Sequence, residues 1–70
     1  MKVNIGCGRN VLPGYLNLDI EPQDSTAQKG SLTDLPFLDD SVDTILAEHV
    51  FEHLTFVEEE QAWHECHRAL

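Results

Sequence analysis

Basic residues are scarce in this chain. Lysine and arginine account for four of the 70 residues, against 13 aspartates and glutamates, and the formal net charge is −9. The four cations are too scattered to form a basic stripe along the sequence. Because an acidic surface repels phosphate backbones, we expect no nucleic-acid partner for this segment.

Cysteines and long apolar runs are also few or missing. Cys7 and Cys66 are the only two cysteines, too few for the disulfide framework of a small secreted domain. No apolar run is long enough for a signal peptide or a membrane span. We therefore expect two free thiols and a cytoplasmic chain without a membrane partner. A chain of 70 residues allows one small domain at most, with marginal stability.

Four short segments have the β-prone or alternating pattern of strands. They are residues 3–5, 15–20, 27–31 and 42–47. Turn residues, including Pro13-Gly14 and Pro22, separate them. Strands that precede a helix in short alternation predict an α/β fold, with a mostly parallel sheet of three to four short strands and a C-terminal helix.

The last quarter of the chain is predicted to be this helix. Thr55 followed by Glu58 is a capping-box pattern, and acidic residues follow in the first turn. The helical period predicts one apolar face, with two alanines beside it. This face would carry Val57, Trp63, Cys66 and Leu70, with Ala62 and Ala69 beside them. No glycine cap follows Leu70, so we expect residues 1–70 to be an incomplete domain.

A glycine turn follows the first strand. A strand that ends in Gly-x-Gly, here Gly6-Cys7-Gly8, typically opens a nucleotide-binding crevice, because glycine lets the backbone turn tightly and approach a ligand. Val11 stands where the dinucleotide fingerprint has its third glycine, so a pyrophosphate is not favoured. Asp19, at the end of the second strand, adds a carboxylate that can accept hydrogen bonds from ribose hydroxyls.

Four motifs in order resemble class I, Rossmann-like S-adenosylmethionine-dependent methyltransferases, and the chain is similar to small bacterial members of the type-11 kind. The motifs are Val3-Asn4-Ile5-Gly6-Cys7-Gly8, then Leu18-Asp19-Ile20, then Asp34-Leu35-Pro36-Phe37 with Ser41-Val42-Asp43-Thr44-Ile45, then Ala47-Glu48-His49-Val50-Phe51-Glu52-His53-Leu54. The resemblance covers nearly the whole chain.

The resemblance implies a cofactor site for S-adenosylmethionine. The backbone of Gly6 and Gly8 would lie against the methionine part of the cofactor, and Asp19 would hold the ribose. Asp34 and Leu35 would flank the adenine, with Asp34 accepting a hydrogen bond from its amino group. The full predicted set of cofactor-binding residues is Asn4, Gly6, Cys7, Gly8, Asp19, Ile20, Asp34 and Leu35.

The resemblance also places Glu48 and His49 beside the methyl group and its acceptor, which we expect to be a small molecule. If the acceptor is a hydroxyl, the reaction needs a base. His49 is the first choice, because histidine ordinarily titrates near neutrality, and Glu48 is the second. Either residue could instead position the acceptor.

Two features depart from the family pattern. Asn4 stands where the first motif usually has an acidic residue, so a hydrogen-bonding role is retained without the charge. Asp19 follows Gly8 by 11 residues, where about 20 are expected. A full crossover helix does not fit between Arg9 and Gly14, and we predict a shortened helix or a bare turn there.

Two alternative functions remain. His49-x-x-Glu52-His53 matches the inverted zinc-hydrolase motif, in which a helix presents both histidines to the metal. His64, Cys66 and His67 could add ligands, although surface positions are expected for the two histidines. This interpretation leaves the glycine turn unexplained, and we expect no metal. The other alternative is a non-catalytic nucleotide-binding or assembly fragment.

The isolated chain is expected to be inactive and to form a homodimer or a higher oligomer. Strand 42–47 would leave an open edge, which is a template for another chain. The helix would also leave apolar surface, and closed two-fold dimers are the commonest way to bury both.

Overall fold

The structure is a computed structural model and describes all of residues 1–70. It contains four strands, a single turn of 3-10 helix and one α-helix. The elements are β1 (Lys2–Ile5), β2 (Leu16–Asp19), β3 (Gln28–Lys29), β4 (Thr44–Ala47), the 3-10 helix (Phe51–His53) and α1 (Phe56–Ala69).

The four strands form one parallel sheet in the order β3-β2-β1-β4. Val3 of β1 lies opposite Leu16 of β2 on one side and Ile45 of β4 on the other. All four predicted strands are present, and β3 is reduced to two residues. The predicted α/β fold, a parallel sheet with a C-terminal helix, is thus confirmed.

The hydrophobic core lies on one face of the sheet. Val3 and Leu18 are completely buried there, and Ile5 is nearly so. They pack with three residues of α1 and with three residues of the segment between β3 and β4. The added residues are Ala62, Cys66 and Ala69 of α1, and Leu32, Leu35 and Val42.

The capping box predicted at the start of α1 is confirmed. The Thr55 hydroxyl accepts a hydrogen bond from the Glu58 N–H at 3.2 Å, and the Glu58 carboxylate accepts one from the Thr55 N–H at 3.0 Å. These bonds satisfy two of the N–H groups that a helix start leaves without partners. The hydrogen bond from the Thr55 backbone, more than that from its side chain, lowers the pKa of Glu58.

The apolar face predicted for α1 is wrong, because the helix is rotated about its axis and buries other residues. Val57, Trp63 and Leu70 are 61%, 59% and 49% exposed, whereas the small residues Ala62 and Ala69 are completely buried with Cys66. Small side chains let the helix lie close to the sheet, so the alanines rather than the large residues face the core. The Trp63 ring instead stacks on Phe51, with the ring centroids 4.7 Å apart.

Arg68 joins the end of α1 to the segment before β4. Its guanidinium donates to the carbonyl oxygens of Leu35 and Phe37, at 3.1 and 2.7 Å. It also pairs with Asp39 and Glu65, each at 2.7 Å. Glu65 in turn accepts the Leu35 N–H at 2.7 Å, and the hydrogen bond from Arg68 lowers the pKa of this carboxyl. The network holds Leu35 in the core.

A bare turn connects β1 to β2, as the short spacing predicts, and two buried asparagines hold it. The Asn17 side chain donates to the carbonyl oxygens of Leu12 and Tyr15, at 3.2 and 3.0 Å, and accepts from the Leu12 N–H at 3.0 Å. Asn4, its neighbour across the sheet, donates to Asn17 at 2.9 Å and to the Asn10 carbonyl at 3.1 Å. The amide pair thereby fixes the loop over the second face of the sheet.

No helix in the structure has both the length and the apolar content of a membrane span.

We predict that Asn17→Leu lowers the free energy of unfolding by about 2–4 kcal/mol, because several buried polar groups lose their partners at once. Urea denaturation followed by circular dichroism measures the change. Asn10→Ala is the matched control, since it removes only an exposed side chain and leaves the carbonyl that Asn4 contacts. Equal stability of Asn17→Leu and Asn10→Ala would contradict the assigned role of the amide pair.

We also predict self-association of the chain at micromolar concentration. β4 pairs with β1 on one side only, and Phe56 and Trp63 are 78% and 59% exposed on α1. Sedimentation velocity should show a dimer or larger species, which Trp63→Glu shifts towards the monomer and His64→Glu, on an adjacent exposed position, does not. A monomer of 7.9 kDa at all these concentrations would refute the prediction.

Candidate functional site

The carboxyl ends of β1, β2 and β4 meet at one edge of the sheet, because all three strands are parallel. β1 runs into Gly6, β2 ends at Asp19, and β4 runs into Glu48 and His49. Open α/β sheets bind their ligands beyond this edge. The topology therefore brings residues that are far apart in the sequence into one site.

The glycine turn is fastened to the end of β2. The N–H groups of Gly6 and Cys7 both donate to the Leu18 carbonyl, at 2.8 and 3.1 Å. Gly6 and Gly8 have φ angles of 67° and 54°, in the left-handed region that favours glycine. The two glycines thus allow the chain to reverse directly above β2.

Asp19 orders two backbone segments with its carboxylate. One oxygen accepts the Gly8 N–H and the other accepts the Glu21 N–H, both at 2.9 Å. A carboxylate oxygen has two lone pairs, so each oxygen can accept one further hydrogen bond. The two hydrogen bonds from the backbone hold the Asp19 carboxylate in position to accept hydrogen bonds from two further donors.

The segment after β4 approaches Gly6 so closely that this position cannot carry a side chain. A Cβ atom on Gly6 would lie closer to Cγ2 of Val50 than real Cβ contacts allow. The residue before Val50, His49, has a φ of 56°, an uncommon left-handed conformation for a residue with a side chain. The turns after β1 and β4 therefore interlock, and His49 lies at the contact.

Two open pockets lie at this edge of the sheet and share the residues Gly6 and His49. The first, of about 360 Å³, is mostly apolar and is lined by Ile5, Gly6, Asp19, Ile20, Gly30, Ser31, Leu32, His49, Val50, His53, Leu54 and Glu58. The second, of about 630 Å³, is more polar and is lined by Asn4, Gly6, Cys7, Gly8, Arg9, Asn10, Val11, Leu12, Leu46, Glu48 and His49. Both volumes lie in the range of ligand sites.

Eight of the ten site residues predicted from the sequence line these pockets. The second pocket contains Asn4, Gly6, Cys7, Gly8, Glu48 and His49, and the first contains Gly6, His49, Asp19 and Ile20. The glycine turn and the ends of β2 and β4, which carry these residues, thus converge at the pockets.

Asp34 and Leu35 are the two predicted site residues that lie outside both pockets. Leu35 is 4% exposed in the core, and Asp34 is exposed to solvent. Ser31 and Leu32, which follow Gly30 after β3, line the first pocket instead. A residue directly after a parallel strand reaches the carboxyl edge of the sheet, whereas Asp34 lies one turn further along the chain. The end of β3 was the signal that could have identified these two residues.

Cys7 is buried in the turn, and its environment keeps the thiol protonated. Burial raises the pKa of the thiol, and the nearby Asp19 carboxylate raises it further. A thiol that remains protonated is a poor nucleophile. The side chain of Cys7 packs in the turn, where the residue is 4% exposed.

The helix that the zinc-hydrolase motif requires is not formed. His49 is in the left-handed region and precedes the 3-10 helix, so its side chain and that of His53 do not project from one helical face. No group of three or more metal-ligating side chains is arranged to hold an ion. The structure does not support the zinc interpretation.

The parallel sheet, the glycine turn and the acidic end of β2 define a class I, Rossmann-like methyltransferase domain. A family model described as a methyltransferase domain matches residues 3–70. The chain belongs to this type-11 methyltransferase family, whose enzymes use S-adenosylmethionine as methyl donor. No curated protein and no solved structure matches the chain.

We predict that Gly6→Ala destabilises the chain and that Val50→Ala partly restores stability in the double variant. The new methyl group collides with Cγ2 of Val50, and shortening Val50 removes this atom. The strain of a left-handed alanine, about 1 kcal/mol, remains. Thermal unfolding of the four proteins in the cycle provides the coupling energy. Strictly additive effects would show that the two turns do not interlock through this contact.

Proposed function

We propose that the first pocket binds the adenosine part of S-adenosylmethionine, that the second receives its methionine part, and that the methyl group is transferred to a small-molecule acceptor. The main observation for this proposal is the carboxylate of Asp19. It lies in the wall of the first pocket, held by two backbone N–H groups and with acceptor capacity on both oxygens.

The hydroxyl groups of a ribose match the hydrogen-bonding capacity of the Asp19 carboxylate. Vicinal hydroxyls are paired donors, and the two oxygens of Asp19 are paired acceptors whose direction is fixed by Gly8 and Glu21. A hydrogen bond to an ionised group is stronger than one between neutral groups. Asp19 would therefore contribute much of the affinity for the nucleoside.

A purine fits the remaining wall of the first pocket. Leu32, Val50 and Leu54 provide apolar surface for a flat ring, and Ser31 provides a polar edge. An apolar pocket with a few polar groups is the usual form of a small-molecule site. We assign the positions beside the purine to Ser31 and Leu32, in place of Asp34 and Leu35.

The second pocket is suited to the polar end of the cofactor. A Cβ atom on Gly8 would meet no atom of the chain within 4 Å, so the turn leaves open space for a ligand beside its backbone. Asn4 adds a neutral polar group and Arg9 a positive one. An amino acid moiety, which carries an amine and a carboxylate, matches this set of groups.

For methyl transfer, the protein has mainly to align the acceptor with the methyl group and to exclude water from the site. When bound, S-adenosylmethionine supplies a methyl group on a positively charged sulfur, which keeps the electron pair of the broken carbon–sulfur bond. His49 lies where the two pockets meet, and its neighbour Glu48 lines the second pocket; both would face the acceptor. His49 would take the proton of an acceptor hydroxyl as its oxygen bonds to the methyl carbon, and Glu48 would position the acceptor.

A small acceptor agrees with the size and the charge of the site. The second pocket, at about 630 Å³, has room for a compact acceptor beside the methionine part of the cofactor, and the net charge of −9 on the chain disfavours nucleic acid.

The proposal predicts that Asp19→Ala weakens binding of S-adenosylhomocysteine to the chain by roughly 10- to 150-fold, or about 1.5–3 kcal/mol, the scale of a hydrogen bond to a charged group. Isothermal titration calorimetry measures the affinity, and thermal unfolding confirms that each variant is folded.

Asp34→Ala is the matched control, because it removes the same group and the same charge outside both pockets. Its affinity should equal that of the unmodified chain. A loss with Asp34→Ala but not with Asp19→Ala would restore the original assignment and remove Asp19 from the site. Unchanged affinity in both variants would exclude the proposed ribose contact.

A further inference from the structure

Glu52 is a carboxylate beside the site that the proposed function leaves without a role. It lies in the 3-10 helix, three residues after His49, and one of its oxygens is 3.0 Å from Nδ1 of His49. The same oxygen is 4.0 Å from Nε2 of His53. Glu52 therefore lies between two imidazoles of the first pocket, with the closer contact to His49.

The backbone fixes where this contact forms. His49 is in the left-handed region with a φ of 56°, and Val50 is held against Gly6. The 3-10 helix then begins at once and turns Glu52 back towards the His49 ring. A strained residue that the surrounding structure holds in place is typical of functional sites.

The contact with Glu52 selects one tautomer of the His49 imidazole. An ionised carboxylate only accepts hydrogen bonds, so Nδ1 of His49 must carry the hydrogen. In the neutral ring, Nε2 is then without hydrogen and can accept a proton. Without a partner at Nδ1, nothing in the chain would favour this form.

We propose that Glu52 is a positioning residue for His49: it holds the ring in the Nδ1–H form, so that Nε2 is free to take the proton of the acceptor. This inference rests on the proposed role of His49. As the acceptor oxygen bonds to the methyl carbon, the carbon–sulfur bond breaks and the sulfur keeps its electron pair. The proton of the acceptor passes to Nε2, and the positive charge that forms on the ring lies beside the Glu52 carboxylate. No other reactant is needed.

Exposure limits the size of the effect. The side chains of His49 and Glu52 are 83% and 59% exposed, and solvent screening makes exposed ion pairs weak. Other charged groups also line the pockets around His49. The charged groups are Asp19 and Glu58 in the first pocket and Glu48 and Arg9 in the second. The first pocket also contains the titratable ring of His53. We therefore expect Glu52 to change the ratio of the two neutral forms by about two- to fivefold.

Long-range ¹H–¹⁵N correlation spectra of the ¹⁵N-labelled chain test this, because they distinguish a ring nitrogen with hydrogen from one without. Recorded at about pH 8.5, where histidines are neutral, the spectrum should show His49 enriched in the Nδ1–H form relative to His64. Glu52→Gln should lower the Nδ1–H to Nε2–H ratio of His49 by about two- to fivefold. Single substitutions of the four histidines assign the signals.

Glu60→Gln is the matched control, since it removes the same charge from a carboxylate outside both pockets. It should leave the ratio unchanged. A His49 ratio equal to that of His64, or one that Glu52→Gln does not change, would overturn the inference. Adding S-adenosylhomocysteine tests the proposed function separately: the His49 signals should shift. An enriched Nδ1–H form with no shift on addition would uphold the pairing and reject the proposed cofactor pockets.

Discussion

The side-chain amide of Asn17 makes four hydrogen bonds beneath the second face of the sheet. Parallel strands are usually joined by a crossover of a dozen or more residues, commonly a helix that covers one face. Here the connection from β1 to β2 is too short for such a helix. Without a helix over this face of the sheet, the polar backbone groups of the loop would lack partners. Asn17 and Asn4 supply the missing partners from inside the sheet itself. The glycine turn that begins this loop is therefore supported from below by two neutral side chains, and an acidic residue in place of Asn4 would bring a buried charge next to the Asn17 carbonyl oxygen.

A second constraint couples the turn to the rest of the site. Val50 occupies the space that a side chain on Gly6 would need, so Gly6 serves packing as well as backbone conformation. Because His49 directly precedes Val50, its place at the junction of the two pockets follows from the steric contact between Val50 and the turn after β1. The glycine turn and the segment that carries His49 are thus parts of one packed unit, although Gly6 and His49 are 43 positions apart in the sequence.

Local patterns predicted most of the fold, and most of the residues predicted for the site line the two pockets. The alternation in residues 15–20, the pair Thr55 and Glu58, and the glycine turn each carry a signal in neighbouring residues, and the structure contains all three features. The predicted rotation of α1 is wrong, and the residues that line the first pocket after β3 differ from those predicted for the site. The rotation of α1 depends on how closely the helix can approach the sheet, which favours Ala62 over Trp63. The segment after β3 has no periodicity, so its pocket-lining residues depend on where a strand of two residues ends, and sequence alone did not distinguish Ser31 from Asp34.

The acidity of the chain has a more specific consequence at the pockets than on the remaining surface. Several carboxylates have structural tasks, such as Glu65 with Arg68, and the remaining surface carboxylates are solvated. The pockets themselves are lined by Asp19, Glu48 and Glu58 against the single cation Arg9. A cleft lined mainly by one sign of charge concentrates ligands of the opposite sign. S-adenosylmethionine carries a positive sulfur that becomes neutral when the methyl group leaves. In the proposed site, the same carboxylates that attract the donor would therefore hold the spent form less strongly, so one field would favour both the entry of the donor and the release of the product.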